Sequence, residues 1–200
     1  MITDVAIDMD GVLFDFAGVI TKHFSEYFGT ELPAPKNWEF FSEWGLSADS
    51  FYTLLDHLTI ERELFNEGSP ISKSMVGWKS LREQGLRLHV ITHRSWSAHA
   101  QTIKWLERYR FIPDSIHFTG DKAPVLASIS TDEFAAIDDH YEQYADYKAY
   151  GTKAFLFTQP WNAGHPGRRV STLEEFADAI KLYNQYWKLE NQFELMEQVF

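Results

Sequence analysis

The sequence predicts an α/β fold: a doubly wound parallel sheet with a small helical insertion after its first strand. Three observations lead there. Short apolar runs recur without polar alternation, as in strands covered on both faces. Helical patterns separate those runs, the order that builds a parallel sheet. Charged or hydroxyl-bearing clusters follow the runs directly, where a doubly wound sheet forms its ligand crevice.

The first run, Val5-Ala6-Ile7, ends in Asp8-Met9-Asp10-Gly11 and reads as a buried strand feeding a turn. Phe16, Val19, Ile20, Phe24 and Phe28 then recur at helical spacing. Pro33 and Pro35 break the chain. Between Trp38 and Leu64 come short aromatic-rich helical patterns, first over 38–44 and then through Phe51, Leu54, Leu55 and Leu58, with no alternating strand. After Gly68 and Pro70, residues 72–84 read as a helix closed by Gly85. Residues 86–91 form a strand ending at Thr92-His93-Arg94, and 97–109 a helix. Residues 115–118 form a short strand before Gly120-Asp121-Lys122, and 122–129 a further helix. A strand over 134–137 ends at Asp138-Asp139, a helix covers 141–150, and 154–157 form a strand. A loop rich in Gly and Pro runs through Arg168 and Arg169, and a long helical segment starts near Ser171. The expected division is an α/β core over 1–15 and 73–200, with a helical insertion over 16–72.

Two hundred residues make one compact domain that buries its core without a disulfide or structural metal. The composition, 44% hydrophobic and 24% charged, excludes disorder and low-complexity filaments. Lys and Arg total 18 against 29 Asp and Glu, a formal charge of -11 that repels nucleic-acid backbones and anionic membranes. A small anion remains admissible, because a metal and a few donors reverse the sign inside one pocket. The absence of cysteine excludes thiolate zinc sites and cysteine nucleophiles. The N-terminus has no basic region ahead of an apolar stretch, and no run approaches the roughly 20 apolar residues of a membrane span. A cytoplasmic location is expected. The aromatic content of 16% usually reflects a ring-rich core, but it also supplies flat surfaces for a planar ligand.

Asp8 and Asp10, two apart at a strand end, can point the same way into a crevice. Gly11 permits a sharp turn whose backbone N–H groups can cradle an anion. Alone, Asp-x-Asp-Gly is a common turn sequence. Joined by Thr92, Lys122 and Asp138-Asp139, each behind its own strand, it supplies carboxylates, a hydroxyl and an ammonium. That set suits a hard cation beside a bound anion.

These residues resemble the four motifs of the haloacid dehalogenase superfamily of phosphohydrolases, in that superfamily's order. Asp8-Met9-Asp10-Gly11-Val12-Leu13 resembles the first, Thr92 the second, Lys122 the third and Asp138-Asp139 the fourth. The helical stretch lies where the superfamily carries a cap. A closer resemblance, over roughly residues 1 to 180, is to the 5′(3′)-deoxyribonucleotidases, through Asp15-Phe16, Asp121-Lys122, Ile137-Asp138-Asp139 and the stretch from Leu156-Phe157-Thr158 through Asn162 to Arg168-Arg169-Val170.

The resemblance implies a Mg²⁺-dependent phosphatase acting on a nucleoside monophosphate, with a deoxyribonucleotide expected. Asp8 would be the nucleophile and Asp10 the acid and base. Mg²⁺ would be held by Asp8, the Asp10 carbonyl and Asp139, with Asp138 supporting. Thr92 and Lys122 would hold phosphoryl oxygens. Two positions depart from the pattern: His93 and Arg94 follow Thr92 where a small Ser is usual, and His140 follows Asp139 where Arg is usual. They leave the phosphate-side contacts open, so His93 is either a phosphate contact or a loop histidine bonded to backbone. Phe16, Trp38, Phe40 and Phe41 match positions that hold base and deoxyribose; the alternative is core of the insertion. Arg168 and Arg169 either pair with the ligand or neutralise an acidic surface. Leu182, Tyr183, Tyr186, Trp187, Phe193 and Met196 form an apolar stripe expected to pack on the sheet, with a homodimer contact as the alternative. The expected partner is a small phosphate monoester, not a polynucleotide or a membrane. The rival readings are a phosphatase of another small ester, such as a sugar phosphate, and a non-catalytic nucleotide binder on the same fold.

Overall fold

The computed structural model describes residues 1–129 and 133–197, with side chains through 190. The strands are β1 (Asp4–Ile7), β2 (Arg87–Thr92), β3 (Ser115–Phe118), β4 (Phe134–Asp138), β5 (Lys153–Phe157) and β6 (Arg169–Val170). The helices are α1 (Phe16–Phe28), α2 (Ala48–Arg62), α3 (Ser74–Glu83), α4 (His99–Arg108), α5 (Ala123–Ile129), α6 (Tyr141–Ala149) and α7 (Leu173–Glu197). One sheet takes the order β3-β2-β1-β4-β5-β6 with every pair parallel. The doubly wound expectation holds, and the strand order reverses between β1 and β4.

The apolar runs are continuous because both faces are covered. Val5, Ile7, Leu88, Val90, Ile137 and Phe157 join one core with Phe24 of α1, Leu81 of α3, Trp105 of α4 and Phe176 of α7. Ala6, Ile91, Ala136 and Leu156 join a second with Leu126 of α5 and Tyr147 of α6. Ile7, Leu88, Val90 and Ile137 are fully buried, and each such side chain contributes ~1.5–3 kcal/mol. Gly77 of α3 lies where the start of α7 crosses: a Cβ there would sit 2.3 Å from the Leu173 carbonyl carbon.

Side-chain caps fix the starts of α1, α2 and α7. Asp15 accepts from the Gly18 N–H at 3.0 Å to open α1, and Ser47 accepts from Ser50 at 3.2 Å to open α2. Thr172 accepts from the Glu175 N–H at 3.1 Å while the Glu175 carboxylate reaches back to the Ser171 N–H. This reciprocal pairing starts α7 two residues later than the sequence pattern suggests.

Three expectations are corrected. Residues 38–44 hold only a 3₁₀ turn, Phe40–Ser42, because Trp44 turns back to donate its indole N–H to the Pro33 carbonyl. The loop through Arg168 and Arg169 contains β6, whose two ladder pairs with β5 are too few to leave a pattern. The late apolar stripe packs against the core only in part. Leu173, Phe176, Ala177 and Ile180 are fully buried and Tyr183 joins the core's edge, Trp187 is half-buried, but Leu182 and Tyr186 are exposed beyond them. Phe193 and Met196 lie outside the described side chains.

Candidate active site

Asp8, Thr92 and Asp138 come together because β1, β2 and β4 are adjacent parallel strands in matched register, Ile7 opposite both Val90 and Ile137. The chain leaving β1 folds into a tight buried loop. Leu13 and Phe14 both donate to the Met9 carbonyl, and Gly11 donates to the Phe14 carbonyl at 2.9 Å. Met9, Val12, Leu13 and Phe14 point into the core, so the loop presents Asp8 and Asp10 to the crevice.

The floor of the crevice is crowded with acid. Asp8, Asp138 and Asp139 are buried, and one oxygen from each lies within 4.8 Å of the others. Lys122, also buried, donates to Asp8 Oδ1 at 2.6 Å and to Asp138 Oδ2 at 2.8 Å. The other Asp138 oxygen accepts from the His140 N–H at 2.9 Å. Asp139 accepts from the Trp161 indole N–H at 2.9 Å through Oδ2; its Oδ1 takes no hydrogen bond among the described residues. Three carboxylates therefore face one ammonium. Burial pushes the Asp8 carboxyl up to about 7, against the pull of Lys122, with Asp138 and Asp10 adding to the rise. Burial also holds Asp139 well above the usual carboxylate range, helped by Asp8 and Asp138. Burial works against the Lys122 charge, but the two acids it bridges outweigh that and raise it well above its ordinary value. A divalent cation would relieve this excess, and the all-oxygen donor set suits a hard ion such as Mg²⁺.

Beside this floor stands Asp10, whose carboxylate is gripped by Arg94. Above it opens a cavity of about 320 Å³. All four aromatic residues singled out from the sequence, Phe16, Trp38, Phe40 and Phe41, line it, as do His93, Lys122 and His140. Phe16 lies parallel to Phe65 with centroids 6.1 Å apart, and Trp38 stacks on His140 at 3.9 Å. Phe40 and Phe41 also pack against Phe51, so they are cavity wall and insertion core at once. His93 is exposed to the cavity, and its burial against the floor lowers its imidazole to about 4, with Lys122 adding to the effect. Thr92 lies behind the wall, fully buried, its hydroxyl accepting from the Arg94 N–H at 3.2 Å. Neither Arg168 nor Arg169 lines the cavity. The Arg169 guanidinium clasps the Asn162 and His165 carbonyls, and Arg168 lies over the Phe155 ring at 5.2 Å.

Over residues 1–185 the chain matches the family described as 5′ nucleotidase, deoxy (pyrimidine), cytosolic type C protein. It belongs to that nucleotidase family. It is accordingly a phosphoric monoester hydrolase. A curated Chlorobaculum tepidum protein, named "Putative 5'(3')-deoxyribonucleotidase", is 29% identical over 189 residues, 90% of each chain. Among solved structures, a haloacid dehalogenase-like family hydrolase from Streptococcus pneumoniae superposes with a TM-score of 0.64 at 16% identity, covering 90% of this chain and 98% of its own. CbbY from Rhodobacter sphaeroides, in complex with phosphate, gives 0.61 at 16%, covering 88% and 96%. At these identities the likeness establishes the haloacid dehalogenase-like fold.

In this nucleotidase several site contacts escape sequence reasoning. Arg94 stands out there only as a departure from pattern, and its partner Asp10 lies 84 residues away. Trp161 and Asn162 sit in a loop with no periodicity, yet Trp161 holds Asp139 and Asn162 donates to the Asp139 carbonyl at 2.7 Å. Gly11 has a steric reason beyond turn formation. Its φ is 77°, and a Cβ would lie 2.0 Å from Asp139 Oδ2. Gly11→Ala is expected to cost at least about 2 kcal/mol, combining left-handed strain with the displaced carboxylate. Thermal unfolding measures it, and an unchanged Tm would show that the loop relaxes freely.

Proposed function

We propose that this nucleotidase hydrolyses the phosphate monoester of a nucleoside monophosphate, a deoxyribonucleotide, in a Mg²⁺-dependent reaction through an aspartyl phosphate. The observation that carries the reading is the division of one cavity into a charged floor and a ring-lined wall. A phosphate belongs on the floor with Lys122, and a planar apolar group belongs against Phe16, Phe65 and Trp38. The family's description and the C. tepidum relative's name support the deoxyribonucleotide.

Asp8 attacks phosphorus with a carboxylate oxygen as the P–O ester bond breaks, and Asp10 gives its proton to the departing nucleoside oxygen. Asp10, now a carboxylate, takes a proton from water as that water attacks the aspartyl phosphate. Breaking the P–O bond to Asp8 releases inorganic phosphate and restores the enzyme. Lys122 holds phosphoryl oxygens, with His93 on the cavity side, while Thr92, behind the wall, steadies the Arg94 N–H. Asp8, Asp139 and the Asp10 carbonyl would hold Mg²⁺, with Asp138 supporting. When bound, the ion offsets phosphate charge so that an anionic nucleophile can approach. Segment 16–72 acts as a cap over the core of 1–15 and 73–200, excluding water during transfer. The family's description as cytosolic supports a cytoplasmic location.

Phosphate release from deoxynucleotides, ribonucleotides and sugar phosphates, each with Mg²⁺, tests the substrate. The highest kcat/KM is expected for a deoxynucleoside monophosphate. Equal or faster turnover of a sugar phosphate defeats the assignment.

A further inference from the structure

We propose that Arg94 is the positioning residue of the proton-carrying carboxyl, holding Asp10 so that its Oδ2 faces the leaving oxygen. The inference rests on the reading above that Asp10 carries the proton. Arg94 donates to Asp10 Oδ1 from Nη2 at 2.6 Å and from Nε at 3.2 Å, whereas Oδ2 receives only Nε, at 2.9 Å. Oδ2 therefore keeps the freer lone pair. The Arg94 side chain is 1% exposed and that of Asp10 is 25% exposed, so the arginine takes the sheltered side of the carboxylate and leaves the open side to the cavity.

The guanidinium itself is held by rings and by a hydroxyl. Phe14 lies 4.3 Å from it and Phe65 4.1 Å, adjacent rings with centroids 5.8 Å apart that pack against it together. Nη1 donates to Thr102 Oγ1 at 3.0 Å, and that hydroxyl is fixed by donating to the Ala98 carbonyl at 2.8 Å. An arginine so confined cannot swing to a phosphate. Its planar fork fixes a carboxylate plane, which a lysine ammonium cannot do.

A positioning role predicts a specific kinetic pattern. Protonation matters for a poor leaving group such as benzyl alcohol and hardly at all for p-nitrophenol. The test measures kcat/KM for a phosphate series from p-nitrophenyl through phenyl to benzyl. R94M should lower benzyl phosphate turnover about 100-fold, the scale of a general acid, and p-nitrophenyl phosphate turnover less than about 5-fold. R94K should recover only part of the benzyl loss. In a D10N background, R94M should change neither substrate more than about 2-fold, because the two residues act as one unit. Equal loss across the series, no loss, or a further loss in D10N each overturns the proposal. Should R94M fail to fold, Thr102→Val removes one guanidinium anchor and no Asp10 contact. It should show the same leaving-group dependence at about threefold, and a flat series overturns the proposal. These esters carry no nucleobase, so failure of the nucleotide preference would leave this result standing.

Discussion

Asp8→Asn is expected to abolish phosphate release while leaving a folded protein of equal or greater stability. In the proposed covalent mechanism Asp8 is the nucleophile, and removing such a group costs on the order of 10⁴-fold or more. An amide oxygen still accepts from Lys122, which now meets the Asp8 carboxylate at 2.6 Å, so the local packing survives. The stability sign follows from the carboxyl value of about 7, raised from 3.8 by burial. A group whose proton is held more tightly in the folded than in the unfolded chain destabilises the fold progressively as pH rises through that window. Above pH 7 the metal-free wild type carries the full penalty, and the amide variant carries none. Thermal unfolding at pH 8 with chelator present, paired with a phosphate-release assay, checks both halves. Turnover within tenfold of wild type would overturn the assigned nucleophile.

Stripping divalent ions with a chelator is expected to reduce turnover by at least about 10³-fold, with Mg²⁺ restoring it. The floor supports this independently of activity. A cation bound by Asp8 and Asp139 displaces their protons, because both carboxyls are held above the usual range. Ion affinity measured by calorimetry should therefore rise with pH through about 7, and binding below that value should release protons to the buffer. Full activity in chelator removes the metal from the mechanism. Affinity that does not vary with pH would show that the crowded acids are not its ligands.

Much of this arrangement is written in local patterns. β1, β2 and β4 announce themselves as apolar runs because helices cover both their faces. The acids and Lys122 directly follow strands, and parallel pairing brings those ends together without further instruction. What escapes local reading depends on distant chain segments meeting. Arg94 is defined by Asp10, Phe14 and Phe65, none of which a short window contains, and by Thr102 eight residues on. Trp161 reaches Asp139 over a sequence separation of 22, with a helix and a strand between. The stripe after Ile180 has helical spacing, but spacing alone does not reveal that Tyr183 meets the core while Leu182 and Tyr186 face outward.

Three buried acids against one lysine also bear on engineering. Selection for heat resistance alone would favour amides at 8 and 139, two of the three, since burial penalises the charged carboxylate at both. A library sorted that way would fill with robust, inert proteins. Any campaign to harden this enzyme should hold those three positions fixed and look for its gains elsewhere.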